Sequence, residues 1–202
     1  QAVEMICKKK VIGDVFRVEA HMGGWGQPRD WWRASKSISG GILYDWGVHL
    51  LEYMLQIMRA DIVEVSGYAK TGIWASQTRW KKDTNEDEGY AVIRFSNGAW
   101  GTLMISAVDS RPKPGWLEFT GTKGTYVMEP GAWELITHDG NQTISTKGPN
   151  MEGAGWKLYQ NIADHLVKGE KLIITPEWAR RPIHILDLAN RSAKLGRALP
   201  AQ

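Results

Sequence analysis

Asp45 and His49 interrupt an otherwise apolar run in which Leu43, Trp46, Val48, Leu50, Leu51, Met54, Leu55 and Ile57 are the neighbours. The spacing predicts a helix from about Ile42 to Met58. It is apolar almost all the way round, so burial on most faces is expected. Residues i and i+4 leave one helical face about one turn apart. Where that face is partly dry, a carboxylate can orient and charge-stabilise an imidazole. An imidazole titrates near neutrality and can pass a proton to or from a hydroxyl. Oxidising an alcohol to a ketone by hydride transfer needs such a base. A plainer alternative makes Asp45 a cap near the helix start and His49 a hydrogen-bonded core residue, and spacing alone leaves both open. Two ligands without a third at suitable spacing do not make a zinc site, so no metal is expected.

The surrounding pattern supplies the elements that must hold this helix. Gly13 to Met22 is rich in β-branched and aromatic residues and reads as a strand. A polar, tryptophan-rich loop follows from Gly23 to Ser39, and Gly40-Gly41 opens the helix. From Asp61 to Thr146 the period changes to two. Strands are expected at 62–68, 90–95, 99–107, 116–120, 126–129, 133–138 and 143–146, with Ser96-Asn97-Gly98 as a hairpin turn. Short links favour antiparallel neighbours, and a meander-like sheet results. Two helices close the chain, at about 155–168 and from Thr175-Pro176-Glu177 to about Lys194. The second has Thr as N-cap, Pro at the first helical position, Gly196 just past its end, and Pro182 inside it as a kink site. The order is that of an α+β domain, with a large, mostly antiparallel open sheet and helices packed on one face.

Composition limits what the chain can be. Its 202 residues suffice for one substantial core, and 43% hydrophobic with 23% charged residues is ordinary for a globular protein. A net charge of +3, with Arg79, Lys81 and Lys82 running straight into Asp83, Glu86, Asp87 and Glu88, reads as a solvated loop and gives no stripe for nucleic acid. Cys7 is alone, so no intrachain disulfide forms, and a cytoplasmic setting is the default. No apolar run is long enough to span a bilayer. The first residue is Gln, and Val3 to Cys7 reads as the tail of a helix already under way. Residues 1–202 are therefore expected to be one domain of a longer protein.

The stretch Asp30-Trp31-Trp32-Arg33-Ala34-Ser35-Lys36, followed by Ser39-Gly40-Gly41-Ile42-Leu43-Tyr44-Asp45-Trp46-Gly47-Val48-His49, resembles the W-R…G-G-x-x-x-D-x-G-x-H signature of Gfo/Idh/MocA oxidoreductases. Ile42 stands where the family usually has a third glycine. The likeness continues in Phe119 to Thr125, Tyr159 to His165, Thr175-Pro176-Glu177 with Ala179-Arg180-Arg181, and Arg191-Ser192-Ala193, so it covers most of the chain. The resemblance implies the C-terminal, dihydrodipicolinate-reductase-like domain. In that domain Asp45 and His49 face substrate and nicotinamide, with His49 as acid/base. Gly47 sits between them, packed closely against another backbone or the cofactor. Arg33 matches a position that often lies near the substrate; its bland reading is a surface ion pair. Lys36 reads as a solvated side chain.

The resemblance also implies NAD or NADP as cofactor, and a sugar, inositol or related polyol as substrate. Subunit contacts through the free sheet face would give a homodimer or homotetramer, with Trp100, Thr102 and Met104 suited to that surface. Trp31 and Trp32 are candidates for stacking on sugar C–H faces, while Trp100, Trp116, Trp133 and Trp178 read as packing residues. No G-x-G-x-x-G follows a strand, and Gly23-Gly24-Trp25-Gly26 lacks the spacing. The family's catalytic lysine belongs to an N-terminal Rossmann domain absent here, and Lys113-Pro114 lies between strands. The isolated chain is therefore expected to bind no dinucleotide well and to be inactive. Two alternatives stand beside this reading. One is a non-catalytic binding or oligomerisation module. The other is a relative doing redox-neutral glycoside chemistry with bound NAD.

Overall fold

The structure is a computed structural model, and it describes residues 1–201. After a helical turn at Val3–Lys8, the chain enters β1 (Val15–Gly23). A long loop ends in the short α1 (Lys36–Ser39), which leads into α2 (Ile42–Ile57). Seven strands follow: β2 (Ile62–Lys70), β3 (Glu88–Phe95), β4 (Trp100–Ser106), β5 (Leu117–Gly121), β6 (Gly124–Met128), β7 (Ala132–Asp139) and β8 (Gln142–Pro149). Then come α3 (Trp156–Lys168), α4 (Pro176–Leu195) and a two-residue β9 (Leu199–Pro200). The fold class is the α+β arrangement read from the sequence. Among the described residues no helix is long and apolar enough to cross a membrane.

The sheet has nine strands in the order β8-β7-β6-β5-β1-β4-β3-β2-β9. Two antiparallel meanders, β2 to β4 and β5 to β8, are joined through β1, which is parallel to β4 and antiparallel to β5. That insertion corrects the simple meander expected from short links. The loop from Ala107 to Trp116 carries the chain past β1, so β4 and β5 are not neighbours.

Register fixes which side chains face the helices. Val18, Gly101, Ile93 and Val65 stand across the sheet in one row, and Ala20, Leu103, Ala91 and Gly67 in the next. The side chains of these rows, glycines apart, are buried with Leu50, Leu51, Met54 and Leu55 of α2 and Ile185, Leu186 and Ala189 of α4. A Cβ on Gly67 would run into the Ala189 carbonyl, so glycine is what lets α4 lie against β2. Ser192 locks that contact: its hydroxyl accepts from the Gly67 N–H at 2.8 Å and donates to the Arg197 carbonyl at 2.6 Å. Thr175 caps α4 through the Trp178 N–H, and the helix runs on through Pro182. The opposite sheet face is mixed. It carries Trp100, Thr102 and Met104 in alternation, an exposed Tyr68 beside Tyr90, and ion pairs such as Arg94–Glu64 and Lys113–Glu19.

Two expectations need correction. The inner face of α2 is buried, but Trp46, His49 and Tyr53 are exposed, so the helix is not closed on most faces. The acidic run after Lys82 is not a solvated loop either. Asn85, Glu86 and Asp87 are among the most buried polar residues of the chain, with Asp87 only 1% exposed.

Candidate active site

The open face of α2 carries the two candidate residues, Asp45 and His49. Asp45 is half-buried and His49 is exposed, one turn further along. Neither alternative role fits. The cap of α2 is supplied by Glu86, which accepts from the Ile42 N–H at 3.0 Å, and His49 is not in the core. The expectation of a dry environment for the pair is also corrected: in this chain the face lies open to water. A mainly apolar cavity of about 290 Å³ begins a turn beyond His49, where Tyr53, Gln56, Phe119, Tyr126 and Met128 line it.

The partner of Asp45 is Arg33. Its guanidinium lies 3.5 Å from the carboxylate, with both side chains about 40% exposed. The same guanidinium sits over the rings of Trp31 and Trp32, at 5.0 and 5.1 Å from their centroids. Arg33 is thus in an ion pair, and its partner is Asp45, one turn before His49. Such a stack holds a cation without stripping it of water, a geometry that suits the planar, weakly hydrated guanidinium. The ring of His49 lies 5.5 Å from that of Trp46, which in turn meets Trp116. Trp31 and Trp32 stay 43% and 52% exposed, leaving ring surface for a ligand. Trp116, Trp133 and Trp178 pack as expected; Trp100 is partly exposed on the far sheet face.

Gly47 is not part of this face. It is buried on the opposite side of α2, where a Cβ would stand 3.0 Å from Leu103 and 3.3 Å from Leu186. Its smallness serves the packing of α2 against β4 and α4, on the side of the helix away from His49. Lys36 is not a solvated side chain: it pairs with Glu86, whose carboxylate is 4% exposed.

Sequence reasoning missed the frame behind these residues. Asp83 accepts from the Ser37 N–H at the start of α1, and the hydroxyls of Ser35 and Ser37, in that order of weight, hold its carboxyl below the usual range. The Asn85 side chain donates to the Arg33 carbonyl at 2.7 Å. Asp87 accepts from the Ile73 and Trp74 amides at 2.7 and 3.0 Å, fixing a second loop. That loop lies along the first one: Trp80 donates to the Trp31 carbonyl, Gln27 donates to the Gln77 carbonyl, and Trp25 meets Trp74 edge-on at 5.6 Å. Glu86 is pushed up by burial, but its bonds to Lys36 and to backbone N–H groups outweigh this and hold it below the ordinary glutamate value. The one helix start here that follows a glycine pair, Gly40-Gly41, is thus already occupied by a carboxylate and offers no cradle for a phosphate.

The model of the GFO/IDH/MocA C-terminal domain matches residues 1–127. The chain belongs to the Gfo/Idh/MocA family. Its signature residues, Trp32-Arg33 and Asp45 to His49, lie inside the matched span; β7, β8, α3 and α4 lie beyond it. No curated protein matches. Solved structures do, over nearly the whole chain. An NAD-binding protein from Listeria innocua aligns with a TM-score of 0.75 at 19% identity, over 98% of this chain and 62% of that one. An aldose-aldose oxidoreductase from Caulobacter crescentus complexed with glycerol gives 0.76 at 16%, over 97% and 58%. A levoglucosan dehydrogenase in complex with NADH gives 0.78 at 15%, over 99% and 62%. At these identities the likeness establishes the family's fold. The chain spans about three-fifths of the length of each.

Proposed function

We propose that this chain is the substrate-side domain of an oxidoreductase that moves a hydride between NAD or NADP and a sugar, inositol or related polyol. The observation that carries the proposal is the open face of α2: Asp45 and His49 one turn apart, Arg33 held by Asp45, and Trp31 and Trp32 flanking Arg33. The similar structures named for work on sugars support the substrate class. In this reading the dinucleotide phosphates are held by a separate Rossmann domain, since the glycine-flanked helix start here is filled by Glu86. When bound, the nicotinamide supplies or accepts the hydride.

The residues of this chain then have distinct tasks. His49 exchanges the proton of the substrate hydroxyl, for which an exposed imidazole beside the reacting carbon suffices. Asp45 balances charge at that face and anchors Arg33. Arg33 donates to substrate oxygens, a role its fork of N–H groups suits. Trp31 and Trp32 offer flat apolar surface to sugar C–H groups. In the full-length enzyme His49→Ala should lower kcat by roughly 10²- to 10⁴-fold, with the NAD(P) dissociation constant within a few-fold of wild type. Melting temperature and kcat measured on one preparation decide the matter. Normal turnover by a folded His49→Ala enzyme would refute the assignment.

The mixed sheet face is proposed as the subunit contact, giving a homodimer or homotetramer. Trp100 and Tyr68, 39% and 62% exposed on strands paired through β3, support this. Sedimentation at tens of micromolar checks it, and a clean monomer there counts against the contact.

A further inference from the structure

We propose that Glu86 is a positioning residue for the reaction: it sets where α2 begins, and so where Asp45 and His49 stand relative to Arg33. The inference rests on the reading of Asp45 and His49 given above.

Glu86 is 3% exposed and touches both sides of the site. One carboxylate oxygen takes the Ile42 N–H, the first amide of α2. The other takes the ammonium of Lys36, the first residue of α1. Between those contacts run Gly40 and Gly41, with φ of 89° and 130°, in the region that favours glycine. A Cβ on Gly41 would lie 2.9 Å from the Glu86 carboxylate, so the glycine pair leaves room for the carboxylate to reach the helix end. The four residues from Gly40 to Leu43 therefore have little freedom to slide, and Asp45 follows within the same first turn.

The other side of the site hangs from the same short segment. Asn85, the residue before Glu86, holds the Arg33 carbonyl and the Ser39 hydroxyl. Adjacent residues just before β3 thus grip the two parts that meet in the Arg33–Asp45 pair. The strand they lead into is paired to β2 on one side and β4 on the other, and Asp87, between Glu86 and that strand, is held by the Ile73 and Trp74 amides. The side-chain partners of Glu86 are Lys36 and the Ile42 amide, so it bears on Asp45 and His49 only through the backbone of α2. The carboxylate at a helix N-terminus is also favoured by the helix dipole. Without Glu86 the amide of Ile42 loses its acceptor, the partly exposed Lys36 loses its counter-charge, and the first turn of α2 frays. The turn that frays is the one that bears Asp45.

The test uses the full-length protein and two readouts. Amide hydrogen exchange reports the first turn of α2 whether or not the enzyme is active. In Glu86→Ala, the amides of Ile42, Tyr44 and Trp46 should exchange faster by about two- to thirtyfold, the range a lost cap implies, while those of β3 and β4 stay protected. Turnover should fall about 10- to 100-fold, the cost of a misplacement near 1 Å, with the NAD(P) dissociation constant within a few-fold. Glu86→Gln keeps an oxygen for Ile42 and should restore most of both. Glu86→Asp keeps the charge but withdraws it by one methylene; it should move both readouts in the same direction by less, and it serves if the alanine variant does not fold. Unchanged exchange at Ile42, Tyr44 and Trp46 in a folded alanine or aspartate variant overturns the positioning role. Faster exchange with wild-type kcat overturns its bearing on the reaction. Neither result depends on His49→Ala, whose own outcome judges the catalytic reading separately.

Discussion

Two helices of this chain, α2 and α3, are both rich in large apolar residues, and the molecule treats them in opposite ways. In α2, Leu50, Leu51, Met54 and Leu55 are fully buried against the sheet and α4. In α3, Trp156, Tyr159, Leu166 and Val167 are 63%, 74%, 77% and 82% exposed, and no α3 residue is buried. What fixes α3 is its own trailing loop: Asn161 donates to the Lys171 carbonyl and accepts from the Ile173 N–H, and the helix stops at Gly169 in the left-handed region. Thirteen residues with so little tertiary support are near the lower limit for a stable helix in water. The contrast teaches that periodicity states which residues share a face and is silent on whether a partner exists. An apolar stripe of this kind, unusual on a monomer, supports the proposal that another domain completes the protein.

The largest expected effect that probes this contrast is on the buried side. Leu50→Ala should cost this chain about 2–5 kcal/mol, the range for a buried leucine in a close-packed site. Leu50 is 0% exposed, and its neighbours on β4 and α4 are themselves packed, so collapse into the gap is limited. Denaturant unfolding measures it. A loss below 1 kcal/mol, far short of about 2, would mean that the α2 face is loose and the two helices are less different than their burial suggests.

How much of this was legible beforehand follows the same division. The bounds of α2 were readable to within a residue, and Thr175, Pro176 and Gly196 marked both ends of α4, because caps and periodicity are local properties. The placement of β1 between β4 and β5 was not readable, since pairing Arg17 with Trp100 and Thr120 joins residues that no local pattern connects. β9 was missed because two residues carry no period. At the site, Asp45 and His49 were singled out by type and spacing and Arg33 by the family resemblance, and the structure puts Arg33 beside Asp45. Their frame was not: Lys36 and Glu86 are fifty residues apart, and Asp87 looks solvated until the Ile73 and Trp74 amides are seen to reach it. Charge in a sequence does not say whether a backbone donor is waiting for it. For Gly47 the sequence left close packing and approach to the cofactor both open, and the contact with Leu103 and Leu186 shows which packing its smallness serves.

The smallest expected effect is the sharper test, because it asks for an absence. The double variant Leu166→Gln, Val167→Lys replaces two exposed apolar side chains of α3 by polar ones. Glutamine and lysine have helix propensities as good as, or better than, those they replace, so the helix itself is not penalised. No packing is lost where none exists, and exposed substitutions of this kind fall within about 0.5 kcal/mol of neutral. The unfolding free energy of this chain should therefore stay within that margin. The same pair of changes in the full-length protein should cost more, because burying a leucine or valine is worth roughly 1.5–3 kcal/mol where a partner covers it. A loss above about 1 kcal/mol in this chain would show that α3 is already packed here, and the contrast with α2 would fall. An equal, near-zero effect in both proteins would leave α3 uncovered in each and remove its support for a domain docked on that face.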